Sequence, residues 1–499
     1  MAQPSSSTNN IADNVEESRA ALQRCPPGHS RRSVCLFNLA VDLHNRFQQQ
    51  GVPSDLDEAI KLHKAALLLR PTGHSLRSAS LINLAISIFH RFEQQGNLSD
   101  LDETIELHKS ALLLRPLGHS LRSSSLTDLA VSIFHRFKHS GIEPDLDEAI
   151  ELHRAALLLR PPDHPDRSTS LNALSISLQH RFKRRGVLSD VDEAIEIQRD
   201  VLLLCHSGHS DPSMSLNNLG VSLLNRFQQQ GVLSDLHEAI ELHRATLLLR
   251  PLGHSERSTS LNNLADSLRA RFQLRGGLFD LDEAIELHRA ALPLRPLDHS
   301  ERCTSLIGLA ISLHDRFELM GVLSDLNEAI DCHRDVLLLR PPGHSLQSSS
   351  LNNLAISLHD RFEQRGVLSD LNEAIYLHRA ALLLRPSGHS DQSTSLNGLS
   401  ISLHDQFKQR GVLLYLDEAI ELRRAALLLR PPGHSLRLSS LNNLAISLLR
   451  RFELRGIPSD FDEAIEHYRA AILLRPPDQS TFLNRLALSL RDRFHQRGV

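Results

Sequence analysis

The sequence predicts an all-α protein of the solenoid class, a right-handed superhelix of antiparallel helix pairs. Three observations lead there. A unit of 45 residues recurs along the chain, and a fixed period of that size is the signature of a repeat array. Every unit holds two stretches with the 3.6-residue apolar rhythm of a helix, each closed by a helix breaker. Runs that alternate apolar and polar residues, as a half-buried strand would, do not occur.

The landmarks fix the register. Phe362 has counterparts from Phe47 through Phe92 and Phe137 to Phe452, Gly366 from Gly51 to Gly456, and His389 from His29 to His434. In the unit that opens at Ser350, Leu351, Leu354, Ala355, Leu358 and Phe362 form one stripe of a first helix. Ser348, Ser349 and Ser350 are expected as N-caps, and Gly366 as the left-handed residue that ends the helix. The second helix opens with Asp370 and Glu373, spaced as a capping box with Asp in the Ser/Thr place. That spacing recurs from Asp55/Glu58 to Asp460/Glu463 and fails once, where Tyr415 replaces the Asp. The helix is expected to run to Arg385, whose charge suits a C-terminal end, and Pro386 stops it. Leu371, Ala374, Ile375, Ala381 and Leu382 line one face, while Leu377 and Leu384 lie off it. Such a helix must be covered on two sides, which stacking of neighbouring units supplies.

In chain order, residues 1–12 read as a disordered N-terminal tail. Residues 13–499 read as one continuous array. From Asp13 to Cys25 the pattern is a weakened second helix, so the array opens on a half unit. Ten full pairs follow from Ser33 to Arg475. Pro293 is expected to kink its helix. After Gln479 an unpaired first helix (Leu483, Leu486, Ala487, Leu490, Phe494) runs to Val499. It keeps its apolar stripe where an array ordinarily ends on a polar cap, and self-association through it is an expectation.

Composition narrows the function classes. Lys and Arg number 55 against 59 Asp and Glu, and no basic block stands out, which argues against nucleic acid and against an anionic membrane surface. No apolar run approaches the ~20 residues of a membrane span or the core of a secretory signal. A cytoplasmic location is the expectation. The five cysteines are scattered, without a C-x-x-C pair, and read as packing residues.

The unit resembles the tetratricopeptide repeat. The family pattern of large, small and large residues is matched by Leu351, Leu354, Ala355 and Leu358, then Ala374, His378 and Pro386, with Tyr468 restoring the family's aromatic at the His site. The long unit, with Leu-Asn-Asn-Leu-Ala in its first helix, is similar to kinesin light chain-type repeats and to arrays of basidiomycete fungi often linked to CHAT peptidase modules. The resemblance implies a non-catalytic scaffold or adaptor that binds peptides or proteins in the groove lined by the first helices. The alternative it implies is the sensor half of a caspase-like peptidase system whose peptidase is absent from this chain.

Candidate binding residues follow from that implied groove. Asn217, Asn218, Asn262, Asn263, Asn352, Asn353, Asn442 and Asn443 offer amides that both donate and accept, so a row of them can grip an extended peptide backbone. One step along the helix the units differ most, and Phe89 and Phe134 are expected to form an apolar anchor, with His359 among the variable positions. The sequence-adjacent pairs His314/Asp315, His359/Asp360 and His404/Asp405 point about 100° apart on a helix and are not read as dyads. The His378 ladder reads as half-buried packing and the His389 ladder as loop hydrogen bonding. Successive units stand about 8–10 Å apart, too far for a ladder to ligate one zinc ion. No catalytic residue, metal site or cofactor is expected.

Overall fold

The computed structural model describes residues 6–205, 212–296, 301–340, 346–385, 391–431, 436–474, 480–481, 483–488 and 490. Among the described residues the secondary structure is helical: twenty-one α-helices and one 3-10 turn, without a strand. Two compact units divide the chain, Met1–Arg250 and Pro251–Val499.

The first unit opens with the lone helix Ser6–Gln23. That helix begins at Ser6, inside the segment 1–12 read from the sequence as a tail. Five pairs follow, each a longer A helix and a B helix: Arg32–Gln50 with Pro53–Leu68, Arg77–Gln95 with Leu98–Leu113, Arg122–Ser140 with Glu143–Leu158, Arg167–Arg185 with Leu188–Cys205, and Ser213–Gln230 with Leu233–Leu249. The second unit holds five more: Arg257–Arg275 with Leu278–Ala291, Arg302–Met320 with Leu323–Leu339, Gln347–Arg365 with Leu368–Leu383, Gln392–Arg410 with Leu413–Leu428, and Arg437–Arg455 with Pro458–Leu473. Within each unit an A helix packs on its own B helix, and that B helix packs on the next A helix. This is the two-sided cover the B helices require. Where described, residues 480–490 are helical; Phe494 and Val499 lie outside the described residues. No described helix is long and apolar enough to cross a membrane.

The A-to-B turn needs glycine. Gly366 has φ of 68° and donates its N–H to Phe362 O at 2.7 Å, a left-handed closure that a side chain would strain. Phe362, Leu371 and Leu403 then pack in one cluster that crosses from one pair into the next. Pro293 sits in the 3-10 turn Leu292–Leu294, where its B helix ends early, at Ala291.

Both expected N-terminal caps are replaced by something else. The A helix starts at Gln347 with no side-chain cap, and Ser350 instead accepts from the Arg340 guanidinium at 2.5 Å. The B helix starts at Leu368, so Asp370 lies in its first turn rather than at its cap. Asp370 takes both arms of Arg361, from Nε at 2.7 Å and Nη2 at 3.0 Å. The clamp recurs from Arg46–Asp55 to Arg451–Asp460, and a fork of this kind joins the end of A to the start of B with fixed geometry. Where Tyr415 removes the carboxylate, the arginine is gone too: Gln406 stands there and donates to Asn372 at 3.0 Å. Glu373 does not reach back to a cap but pairs with Arg334 of the preceding B helix at 3.1 Å.

The arginine before each Pro is buried rather than aimed at solvent. Arg70 and Arg430 are each 1% exposed. Arg70 donates to Ser80 Oγ at 2.6 Å, in the following A helix, and to Ser33 O at 3.2 Å, in the preceding one. One guanidinium therefore rivets three successive helices, and its burial lowers its affinity for a proton.

Candidate binding face

The A helices carry the predicted site residues, and the structure divides them. Asn217, Asn218, Asn262 and Asn352 are buried, which corrects their reading as groove-facing amides. Asn262 donates to Ser305 at 2.8 Å and its Oδ1 meets His288 Nδ1 at 3.0 Å. Asn352 accepts from Ser395 at 2.9 Å and meets His378 Nδ1 at 3.1 Å. These amides hold neighbouring repeats together. Asn263, Asn353, Asn442 and Asn443 are half-buried; Asn442 accepts from Arg485, and Asn443 O accepts from Arg423 at 2.8 Å.

Why His288 and His378 reach an Asn is visible in the next A helix. A Cβ on Gly308 would lie 2.3 Å from the His288 ring, and one on Gly398 would lie 2.5 Å from the His378 ring. The glycines open the space those imidazoles fill. Burial pushes His63, His108, His153, His243, His333 and His378 down to about 4, so they are neutral at pH 7. The loop histidines also behave as read: Nδ1 of His29, His74, His119, His164 and His254 accepts a backbone N–H two residues on, at 3.1 Å. His389 lies outside the described residues.

The variable positions form a second ladder, one that the sequence concealed. Arg269, His314 and His359 each meet a residue 46 positions on, in the following A helix, whereas Gln179 and His404 meet a serine 43 positions on. In the first unit the rungs are aromatic. Phe89 packs edge-on against His135 at 4.9 Å between ring centres, and Phe134 against His180 at 5.0 Å. Both phenylalanines are half-buried in one cluster with Leu129 and Ile133. The expected apolar spot is thus partly consumed by packing.

In the second unit the rungs are ionic: Arg269–Asp315 at 3.1 Å, His314–Asp360 at 2.6 Å and His359–Asp405 at 2.9 Å. Burial works to lower His359, but its bonds to Asp360 and Asp405 outweigh that and push it up to about 9. Burial likewise works to raise Asp405, yet His359 and Lys408 hold it down at about 2. His359, Glu363 and Asp405 bring ligand atoms within 4.8 Å of one another, as do His314, Asp315 and Glu318. Held at about 9 by its carboxylates, His359 is protonated at pH 7 and faces them as a cation. The cluster reads as a charged rung. The sequence signal that could have found these rungs is complementarity between positions 46 apart, not adjacency.

Beside the rungs lies a row of open clefts in the second unit. Phe317, Glu318, Gly321, Asp360, Glu363 and Gln364 line one of about 400 Å³. One period on, Phe362, Glu363, Gly366, Asp405 and Gln409 line another of about 360 Å³. A third, of about 320 Å³, is bounded by Phe272, Gln273, Asp315, Glu318 and Leu319. Glu318 and Glu363 are exposed at these openings. The clefts share an aromatic floor and carboxylate rims.

The profile of the tetratricopeptide repeat matches residues 122–166, 213–248 and 257–301, and that of the Sel1 repeat matches 33–69, 348–384 and 438–475. Those segments match tetratricopeptide and Sel1 repeats. Among solved structures it is similar to the human IFIT1 dimer with m7Gppp-AAAA, at 14% identity and a TM-score of 0.45, over 93% of this chain and 94% of that one. A Podosopora anserina kinesin light chain candidate with nearly identical TPR-like repeats shares 20% identity at a TM-score of 0.33, over 44% of this chain and 98% of that one. YrrB, a TPR protein with an unusual peptide-binding site, shares 14% identity at a TM-score of 0.32, over 47% and 96%. No curated protein sequence matches the chain.

Proposed function

We propose that the chain is a non-catalytic scaffold that holds an extended, basic peptide segment along the A-helix face of its second unit. The observation that carries this reading is the row of carboxylate-rimmed clefts, one per period. Successive A helices stand about 10 Å apart, and an extended peptide rises about 3.3 Å per residue. Every third residue of a bound segment would therefore meet a cleft. Lys or Arg there would lay its aliphatic stem on the Phe floor and its charge on Glu318 or Glu363. The half-buried Asn353 amide lies farther up the same A helix and can serve the peptide backbone. The acidic rims and the formal net charge of -4 do not favour a phosphate backbone.

Selection of displayed peptides on the immobilised full chain tests this. The expected binders carry basic residues three apart and bind with Kd on the order of micromolar. Glu318→Arg with Glu363→Arg should weaken them at least ~10-fold, which is about 1.4 kcal/mol, with the circular dichroism unchanged. Binders indifferent to both charge reversals would overturn the assignment of this face.

A further inference from the structure

The arginine rivet has a different form at the start of the chain. In later repeats an Arg donates to a Ser ten residues on: Arg70 to Ser80 at 2.6 Å, Arg115 to Ser125 at 2.7 Å, Arg340 to Ser350 at 2.5 Å. One period earlier than Arg70 and Ser80 stand Cys25 and Cys35, and both members of the pair are changed together. The backbone is held the same way. Arg32 donates to Cys25 O at 2.6 Å, as Arg77 donates to Arg70 O. The two sulfurs lie 3.2 Å apart, between the end of the helix Ser6–Gln23 and the first turn of the A helix Arg32–Gln50. Cys25 is buried and Cys35 half-buried, so one sulfur is open to a small reagent while the other waits behind it.

We propose that Cys25 and Cys35 form a reversible disulfide that staples the first helix to the array. With a peroxide as oxidant, the Cys35 thiolate attacks one peroxide oxygen, breaking the O–O bond and releasing hydroxide, which leaves as water. The Cys25 thiolate then attacks the Cys35 sulfenic sulfur; the S–S bond forms, and the second hydroxide takes a proton and leaves as water. Two thiols are oxidised and one peroxide is reduced to two waters. Forming the bond draws the two sulfurs from 3.2 Å to about 2.05 Å. Burial and the neighbouring Cys25 push the Cys35 thiol up, so the reaction runs faster in alkaline buffer. Cys303 and Cys332 are buried in the second unit and serve as internal controls.

The full-length chain, treated natively with equimolar hydrogen peroxide and mapped by mass spectrometry without reductant, tests the proposal. The expected product is a cross-linked pair of peptides holding Cys25 and Cys35, separated by reductant, formed by the wild type and by Cys303→Ser alike. Oxidation should raise the melting temperature by several degrees, reversibly, and Cys35→Ser should lose both effects. Free Cys25 and Cys35, or separate sulfinic acids at each, in wild-type chain of unchanged helicity would overturn it, whether or not the variant folds.

Discussion

At the scale of single residues, the histidines of this chain sit in two opposite electrostatic states. Burial, helped by the nearby charges of His359 and Arg385, holds His378 down at about 4, whereas carboxylates govern His359, held at about 9. The consequences for stability have opposite signs. His359 is raised above its unfolded value of ~6.5, so its contribution is complete below that pH and is lost as pH climbs to about 9. Asp405 is depressed to about 2 and contributes above its unfolded ~3.9. Their rung is therefore strongest between about pH 4 and 6.5. His378 is depressed below its unfolded value, so acid favours the unfolded chain as pH falls from ~6.5 towards 4. NMR titration should find His359 protonated and His378 neutral at pH 7. In denaturant titrations His359→Gln should reduce the alkaline loss between pH 6.5 and 9 and leave in place the acid loss that His378 causes between about pH 6.5 and 4. An unaltered alkaline limb would contradict the rung.

At the scale of helices, each A helix is bolted to its B helix by a forked ion pair, and the composition of that bolt shows what sequence reasoning sees and misses. The helices themselves, the Gly366 closure, the Phe362 core and the role of Pro293 were legible because each follows from local periodicity or backbone chemistry. The Asp370/Glu373 pattern was legible too, but its partner was not. A capping box and a clamp to Arg361 demand the same Asp at nearly the same place, and only the structure shows that the helix begins two residues earlier. The Asn262 and Asn352 amides misled for a related reason. A polar side chain on a helix looks solvent-facing until a neighbour's His and Ser are placed against it. The joint change to Gln406 and Tyr415 is the sequence's own double substitution. Arg361→Gln alone strands Asp370, which is 7% exposed, and should cost about 2–4 kcal/mol in urea unfolding. Adding Asp370→Tyr should recover most of that loss, a coupling that a double-mutant cycle reads directly. Additive costs would show that the two side chains do not depend on one another.

At the scale of the whole molecule, stability should accrue pair by pair, since the contacts within each unit run mostly between successive helices, with fewer from one A helix to the next. The repeat itself was fully legible, because landmarks such as Phe47 to Phe452 keep one spacing. The position of the candidate face was legible only as far as the A helices; the clefts needed the rungs, and the rungs need a register of 46 rather than 45. The most direct test is excision of one period, residues 302–346, from the full chain, compared with excision of 302–341, which breaks the register. The account predicts that the first deletion keeps the ellipticity per residue and a cooperative unfolding transition, while the second loses helical signal and cooperativity. Collapse of both chains, or equal tolerance of both, would contradict an array assembled from interchangeable two-helix units.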